Sequence, residues 1–268
     1  MKLEFIVNDY LLAWHLLFRA SFNEEIQSIK IRLYNNHKEE YLKLNSDINL
    51  MLEDIDNFIP NNDLIYDSIM ESDAFKKIKK DVEEYYLFML KSYDKNKRKL
   101  DTEIYNILRI HLKNNYKVIV LHPEMDMLDY KEINNNNYIL IGKPKASSET
   151  GFILNLVSLC TEAILNIDNE KKAVEKAVLD LAINNELKLR LDEEASYNTG
   201  DIMNGAKVLY PYFLMYLGAD DVESLVALMM RNRLGFEAEK YQMEPQLKKI
   251  NIKAFIDFCY NNWNHLVK

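Results

Sequence analysis

Glycine and proline are scarce, with 6 Gly and 5 Pro in 268 residues. Most tight turns need a residue tolerant of special backbone angles, so long stretches without either predict helices. Cysteine is scarcer still. Cys160 and Cys259 lie far apart, each inside an apolar helical pattern, and read as buried thiols acting as small hydrophobes rather than as a disulfide framework. No apolar run approaches the roughly 20 residues needed to span a bilayer. The strongest near the start, Leu11 to Phe18, is broken by His15. Glu4 and Asp9 interrupt that segment and no small-residue cleavage site follows, so no secretory signal is visible. A cytoplasmic protein without a membrane span is the expectation. Positive charge is also short: 34 Lys and Arg against 42 Asp and Glu leave a net charge of −8. That balance argues against general nucleic-acid binding, which phosphate neutralisation drives.

The familiar catalytic signatures are missing too. His-Glu-x-x-His is absent, and none of the five histidines pairs with another at i, i+4. There is no Gly-x-Ser-x-Gly elbow, no glycine-rich phosphate cradle and no dinucleotide fingerprint. Gly142-Lys143-Pro144 supplies too few backbone amides to act as such a cradle. No metal or other cofactor is therefore expected.

What is present is helical periodicity over most of the chain. Asn8 or Asp9 can cap a first helix carrying Leu11, Trp14, Leu17 and Phe18. Ile26, Ile29 and Leu33, then Tyr41 to Ile55, recur at three and four residues. A helix is expected from Asp67 to about Tyr93, a polar basic turn from Lys91 to Lys99, and another helix from Thr102 to Lys113. Two short β-type runs follow, Val118 to Leu121 and Tyr138 to Ile141, each closed by breakers. The asparagines at 134–137 between them tolerate left-handed angles and read as a turn. Gly151 to Asn166 is apolar on almost every side, and a helix of that kind belongs inside a large core. Ser147 or Ser148 can cap it. Later helices are expected from about Asp168 to Leu191, Ile202 to Leu217 with Pro211 either kinking it or marking a boundary between two helices, Val222 to Leu234, and Gln246 to His265.

The fold class expected is mainly α with a minor β element. Helices surround a central buried helix at 151–166, beside a small two- or three-stranded sheet from segments near 116–122 and 138–143. A single unit over 1–268 is expected. The alternative is a division near the basic turn into an all-helical part, 1–95, and an α+β part, 100–268.

Candidate site residues follow from exceptions to the apolar pattern. Asn155, Ser158 and Glu162 recur at i, i+3 and i+7, and so form one polar line on the central helix. Tyr210 and Tyr212, with Phe213 and Tyr216, gather rings around Pro211, as core packing or as the lining of a cleft. A cleft, if formed, is expected between that kink, the polar line and a sheet edge at Tyr138 to Ile141. His122, Glu124 and Asp126 bring an imidazole and two carboxylates together after a strand. The preferred reading there is a strand-end histidine capped by backbone and followed by a solvated acidic loop, not a metal site. Lys91, Lys95, Lys97, Arg98 and Lys99 read as a solvated basic stretch.

The order helix, strand, strand, core helix resembles the layout of zincin-type zinc metallopeptidases, whose metal motif lies on the helix after the strands. This chain lacks that motif, so the resemblance is one of layout and carries no catalytic residue across. It implies a hydrolase or the inactive relic of one. The leading expectation is a protein that works by binding a protein partner.

Overall fold

The computed structural model describes residues 1–55, 57–60, 62–113, 115–143, 150–192, 195, 206–231 and 241–266. The protein is mainly α: among the described residues 69% are helical and 11% lie in a small sheet of four strands. The chain divides into two compact units. Met1–Asp94 and Lys113–Glu149 form the first, and Lys95–Leu112 with Thr150–Lys268 the second.

The first unit carries the whole sheet. Its strands are β1 (Lys2–Ile6), β2 (Asn115–Val120), β3 (Met127–Ile133) and β4 (Asn136–Gly142), in the order β1-β2-β4-β3. β1, β2 and β4 run parallel, with Phe5 opposite Val118 and Val118 opposite Ile139. β3 pairs antiparallel with β4 at one edge. Val118 to Leu121 and Tyr138 to Ile141 are all buried, as inner strands covered on both faces must be. Tyr138 to Ile141 is thus an interior strand. The expectation of a sheet edge there is corrected, because β3 occupies that edge. β1 and β3 escape a sequence reading because Lys2 and Glu4 interrupt one, and the other is polar and mostly half-exposed. Asn134 and Asn135 take the left-handed angles the asparagine run foretold, at φ 49° and 62°, and close the β3–β4 hairpin. Gly142 is required by space, since a Cβ there would meet the His122 carbonyl oxygen at 2.5 Å.

Five helices complete that unit before the long one: α1 (Asp9–Phe18), α2 (Glu24–Asn36), α3 (Lys38–Lys43), α4 (Asp47–Glu53) and α5 (Asp63–Met70). Asn8 does cap α1, its side chain accepting from the Leu11 amide at 3.0 Å. α1 is buried from Leu11 to Leu17, so its Trp14 and His15 rings need internal partners. Trp14 Nε1 donates to the Leu44 carbonyl at 2.9 Å, and His15 Nδ1 lies 2.7 Å from the Leu11 carbonyl.

α6 (Asp73–Leu108) runs unbroken through the expected basic turn, which is corrected. Neither Gly nor Pro occurs between Pro60 and Pro123. The buried stripe continues as Val82, Tyr85, Met89, Ser92, Tyr93, Asn96, Leu100 and Ile104. Its middle passes through Ser92 and Asn96, so the apolar period fades there while the helix persists. Lys91, Lys95, Lys97, Arg98 and Lys99 all lie on the exposed face.

The second unit contains α7 (Gly151–Leu165). It continues through α8 (Lys172–Leu179), a π-helical segment Asp180–Leu187 and α9 (Lys188–Leu191). After these come α10 (Tyr210–Leu217), α11 (Val222–Arg231), α12 (Ile252–Asn261) and α13 (Trp263–Leu266). α7 is the expected core helix, with Ile153, Leu156, Val157 and Cys160 wholly buried. Its expected caps Ser147 and Ser148, and the Gly235 stop, lie outside the described residues. Of the two roles expected of Pro211, it marks a helix boundary: it stands in the first turn of α10, where a missing N–H is harmless. Both cysteines are buried thiols that are not joined in a disulfide. Arg109 ends α6 at φ 52° and donates to the carbonyls of Tyr216 (2.5 Å), Ile250 (2.8 Å) and Leu247 (3.3 Å). Its guanidinium lies 4.2 Å over the Tyr216 ring.

Two predictions follow from this packing. Leu156→Ala removes wholly buried methylenes and should cost about 2–5 kcal/mol, whereas half-buried Leu159→Ala should cost less. Denaturant midpoints test the order, and two unchanged midpoints would make α7 peripheral. The second concerns acid. Burial drives the His15 imidazole down to about 4, against the pull of the Leu11 carbonyl, and Lys131 and Arg19 add to the fall. Stability held by the neutral ring is complete above its ordinary value of 6.5 and is lost as pH drops toward about 4. The loss should be on the order of 3 kcal/mol, and His15→Gln should flatten it in denaturation curves taken across that range.

Candidate functional site

The second unit holds an open cavity of about 820 Å³ beside α8. It exists because α8 places Ala173, Val174 and Ala177 on one side, three and four residues apart, and two of these carry only a methyl group. Ala206, Tyr260 of α12 and Trp263 of α13 supply the remaining apolar lining. Glu170, Lys176 and Asp180 place charges around it. Trp263 is 39% exposed, a large indole left facing the solvent, whereas Trp14 is 3% exposed. Lys171 lies 5.6 Å from the Tyr260 ring while its ammonium pairs with Asp257 at 2.8 Å. Asp180 accepts from the Asn184 side chain at 2.7 Å.

The predicted polar line lies on the less buried side of α7. Asn155 and Ser158 are half-buried and Glu162 is exposed, while Leu154, Leu156, Val157 and Thr161 beside them are buried. Sequence reading did not find what lies near it. Glu175 of α8 is 2% exposed, and its Oε2 accepts from Lys172 Nζ at 2.6 Å. Its Oε1 has no hydrogen-bond partner among the described residues. The available signal was position: Glu175 sits three and four residues before Val178 and Leu179, which turn inward. Partial burial along the helix flank, and then the Glu175 carboxylate, hold the Glu162 carboxyl above the usual carboxylate range. Lys172 opposes this, Asp180 adds to it, and Lys176 opposes it.

The other predicted residues are placed as follows. Tyr210 is wholly buried and Tyr212 is 7% exposed, near Tyr241 and Phe258. Burial, then Glu244 and Tyr241, raise the Tyr212 phenol. Tyr138 to Ile141 belongs to the first unit, while the polar line and the tyrosines belong to the second. In the first unit, His122 is the backbone-capped strand-end histidine. Its Nδ1 accepts from the Glu124 amide at 3.2 Å and its ring stacks on Phe22 at 4.7 Å. Nε2 lies 3.6 Å from Asp81. Among the described residues, no group of three or more His, Cys, Asp and Glu side chains is arranged to hold a metal ion. Nor is any described helix long and apolar enough to cross a membrane.

Comparison of the chain with family models, with curated proteins and with solved structures finds no match.

The raised Glu162 carboxyl makes a signed prediction. A carboxyl that holds its proton more tightly when folded stabilises the fold at low pH. That contribution fades as pH rises from the ordinary carboxylate range through the folded value. Glu162→Gln should therefore be more stable than the parent at neutral pH, with the advantage shrinking toward pH 4. Denaturant midpoints at the two pH values decide it, and a variant less stable at neutral pH would contradict the electrostatic account.

Proposed function

We propose that the protein acts by binding another protein through the cavity of its second unit. The observation that carries this is Trp263, 39% exposed beside Tyr260 over an alanine-lined hollow. Large aromatics with a free face are the usual anchors of protein interfaces, and truncating one commonly costs about 2 kcal/mol or more of binding. The occupant the lining favours is an amphipathic helix. Its apolar side chains would enter over Ala173 and Ala177, and basic residues would meet Glu170 and Asp180, in a protein whose net charge is −8.

The test uses a helical peptide with leucines on one face and lysines on the other. Trp14 is sealed, so a change in tryptophan emission on binding reports Trp263. A saturable blue shift is expected. Ala177→Phe, which fills the hollow, should weaken binding by about tenfold or more. No shift, or equal binding by the filled variant, overturns the proposal.

A second reading is supported by the order of elements, since α7 follows the β3–β4 hairpin as in the zincin-like layout. It would make the chain a hydrolase or its inactive relic, and it assigns no residue. Zinc-dependent cleavage of an unfolded protein substrate would favour it over the binding reading.

A further inference from the structure

The sheet of the first unit ends at β3, the last strand in the order β1-β2-β4-β3. Asn134 and Asn135 turn the chain, so Ile133 and Asn136 close the β3–β4 hairpin. In a two-residue hairpin the closing pair exchanges both main-chain bonds, and every second residue repeats the exchange. Met127, Asp129, Lys131 and Ile133 therefore bond inward to β4, while Leu128, Tyr130 and Glu132 turn their amides and carbonyls outward. Among the described residues those outward groups make no further main-chain bond. The opposite edge is treated differently, because the Leu3 amide of β1 donates to Tyr93 Oη of α6 at 3.2 Å.

The side chains of β3 alternate in the same way. On one face Tyr130 Oη donates to Asn137 Oδ1 at 2.7 Å, and Glu132 pairs with Lys113 Nζ at 2.6 Å. That face is satisfied within the unit. The other face carries exposed Asp129 and half-buried Lys131, and neither side chain has an ion pair or hydrogen bond among the described residues.

We propose that β3 is a self-association surface, pairing antiparallel with β3 of a second copy about a two-fold axis at Tyr130. The strand, Met127-Leu128-Asp129-Tyr130-Lys131-Glu132-Ile133, selects both occupant and register. About that axis Asp129 faces Lys131 of the second copy, Lys131 faces its Asp129, and Met127 faces its Ile133. These are the positions without direct main-chain bonds, where opposed side chains come closest. Tyr130 meets Tyr130, and Leu128 meets Glu132, as the bonded pairs, so the outward amides and carbonyls find partners. Sliding the register by two residues sets Asp129 against Asp129 or Lys131 against Lys131, and like charges opposed in this way repel. A two-fold contact must complement itself, and the order of charges on this face does so. The surface lies wholly in the first unit and does not depend on the cavity at Trp263.

The experiment measures the mass of the intact chain by sedimentation equilibrium over a wide concentration range, with amide hydrogen exchange at both ends of it. A dimer that grows with concentration is expected. The amides of Leu128, Tyr130 and Glu132 should exchange more slowly as it forms, whereas those of Asp129 and Lys131, already bonded to β4, should be slow throughout. Asp129→Lys and Lys131→Asp each oppose like charges across the axis, and each should weaken self-association by about tenfold or more. Mixed together, the two variants again oppose unlike charges and should associate, as should the double variant on its own. A purely local role for either residue would not produce that recovery. Circular dichroism checks that the variants fold, and should either fail, the outward amides of the parent decide alone. A parent that stays monomeric overturns the proposal, because the charges then guard the edge against other strands. It also falls if the outward amides gain no protection, if neither single variant weakens the dimer, or if the mixture associates no better than its components.

Discussion

An unbroken hydrogen-bond ladder over the 36 residues of α6 is the constraint on which both units depend. The helix gives its residues up to Asp94 to the first unit and those from Lys95 to the second. Its inward stripe of Phe75, Ile78, Val82, Tyr85 and Met89 belongs to one core, and Leu100, Ile104, Ile107 and Leu108 belong to the other. Between them the stripe turns polar without breaking. Ser92 Oγ returns a bond to the Phe88 carbonyl at 2.9 Å, so a buried hydroxyl is satisfied within the helix itself. The basic side chains there all lie on the exposed face.

In the second unit, the groups that stand apart are polar ones taken out of water. Most are paired. Arg109 meets three carbonyls at the end of α6, and buried Glu186 accepts from Arg190 Nε at 2.9 Å while Arg190 Nη1 reaches Glu103 at 3.0 Å. Asn185 Nδ2 donates to the Asp180 carbonyl at 2.9 Å across the π-helical segment, a widened turn of the kind often found at functional sites. Glu175 Oε1 breaks this rule. This sealed oxygen has no hydrogen-bond partner among the described residues.

The site was legible only in part, and for identifiable reasons. The line Asn155, Ser158, Glu162 could be read because polar residues at i, i+3 and i+7 stand out on an apolar helix. Glu175 could not be, because its neighbours Lys172, Lys176 and Asp180 make it look like one more charge on an amphipathic surface. Tyr210 drew notice as an aromatic beside a proline, as core packing or cleft lining; it is wholly buried, and Pro211 opens a helix there. Nothing in the local sequence sets Trp263 apart from the other large side chains of the last helix. Its exposure depends on where α12 ends and α13 begins, which no local pattern records.

By itself the sequence determined the class and the core: scarce breakers and a 3.6-residue period dictate helices, and β-branched runs between breakers dictate inner strands buried on both faces. It also determined local closures such as the Asn8 cap and the left-handed Asn134–Asn135 turn, because side chain and backbone conformation are coupled within a few residues. Tertiary structure alone decided the rest. β1 and β3 are strands because partners complete their hydrogen bonds, not because their own residues demand it. The placing of Tyr138 to Ile141 inside the sheet, the hollow over Ala173 and Ala177, and the burial of Glu175 all follow from which segments meet across long stretches of chain. Such meetings are settled by packing and polar satisfaction over the whole unit, and periodicity carries no record of them.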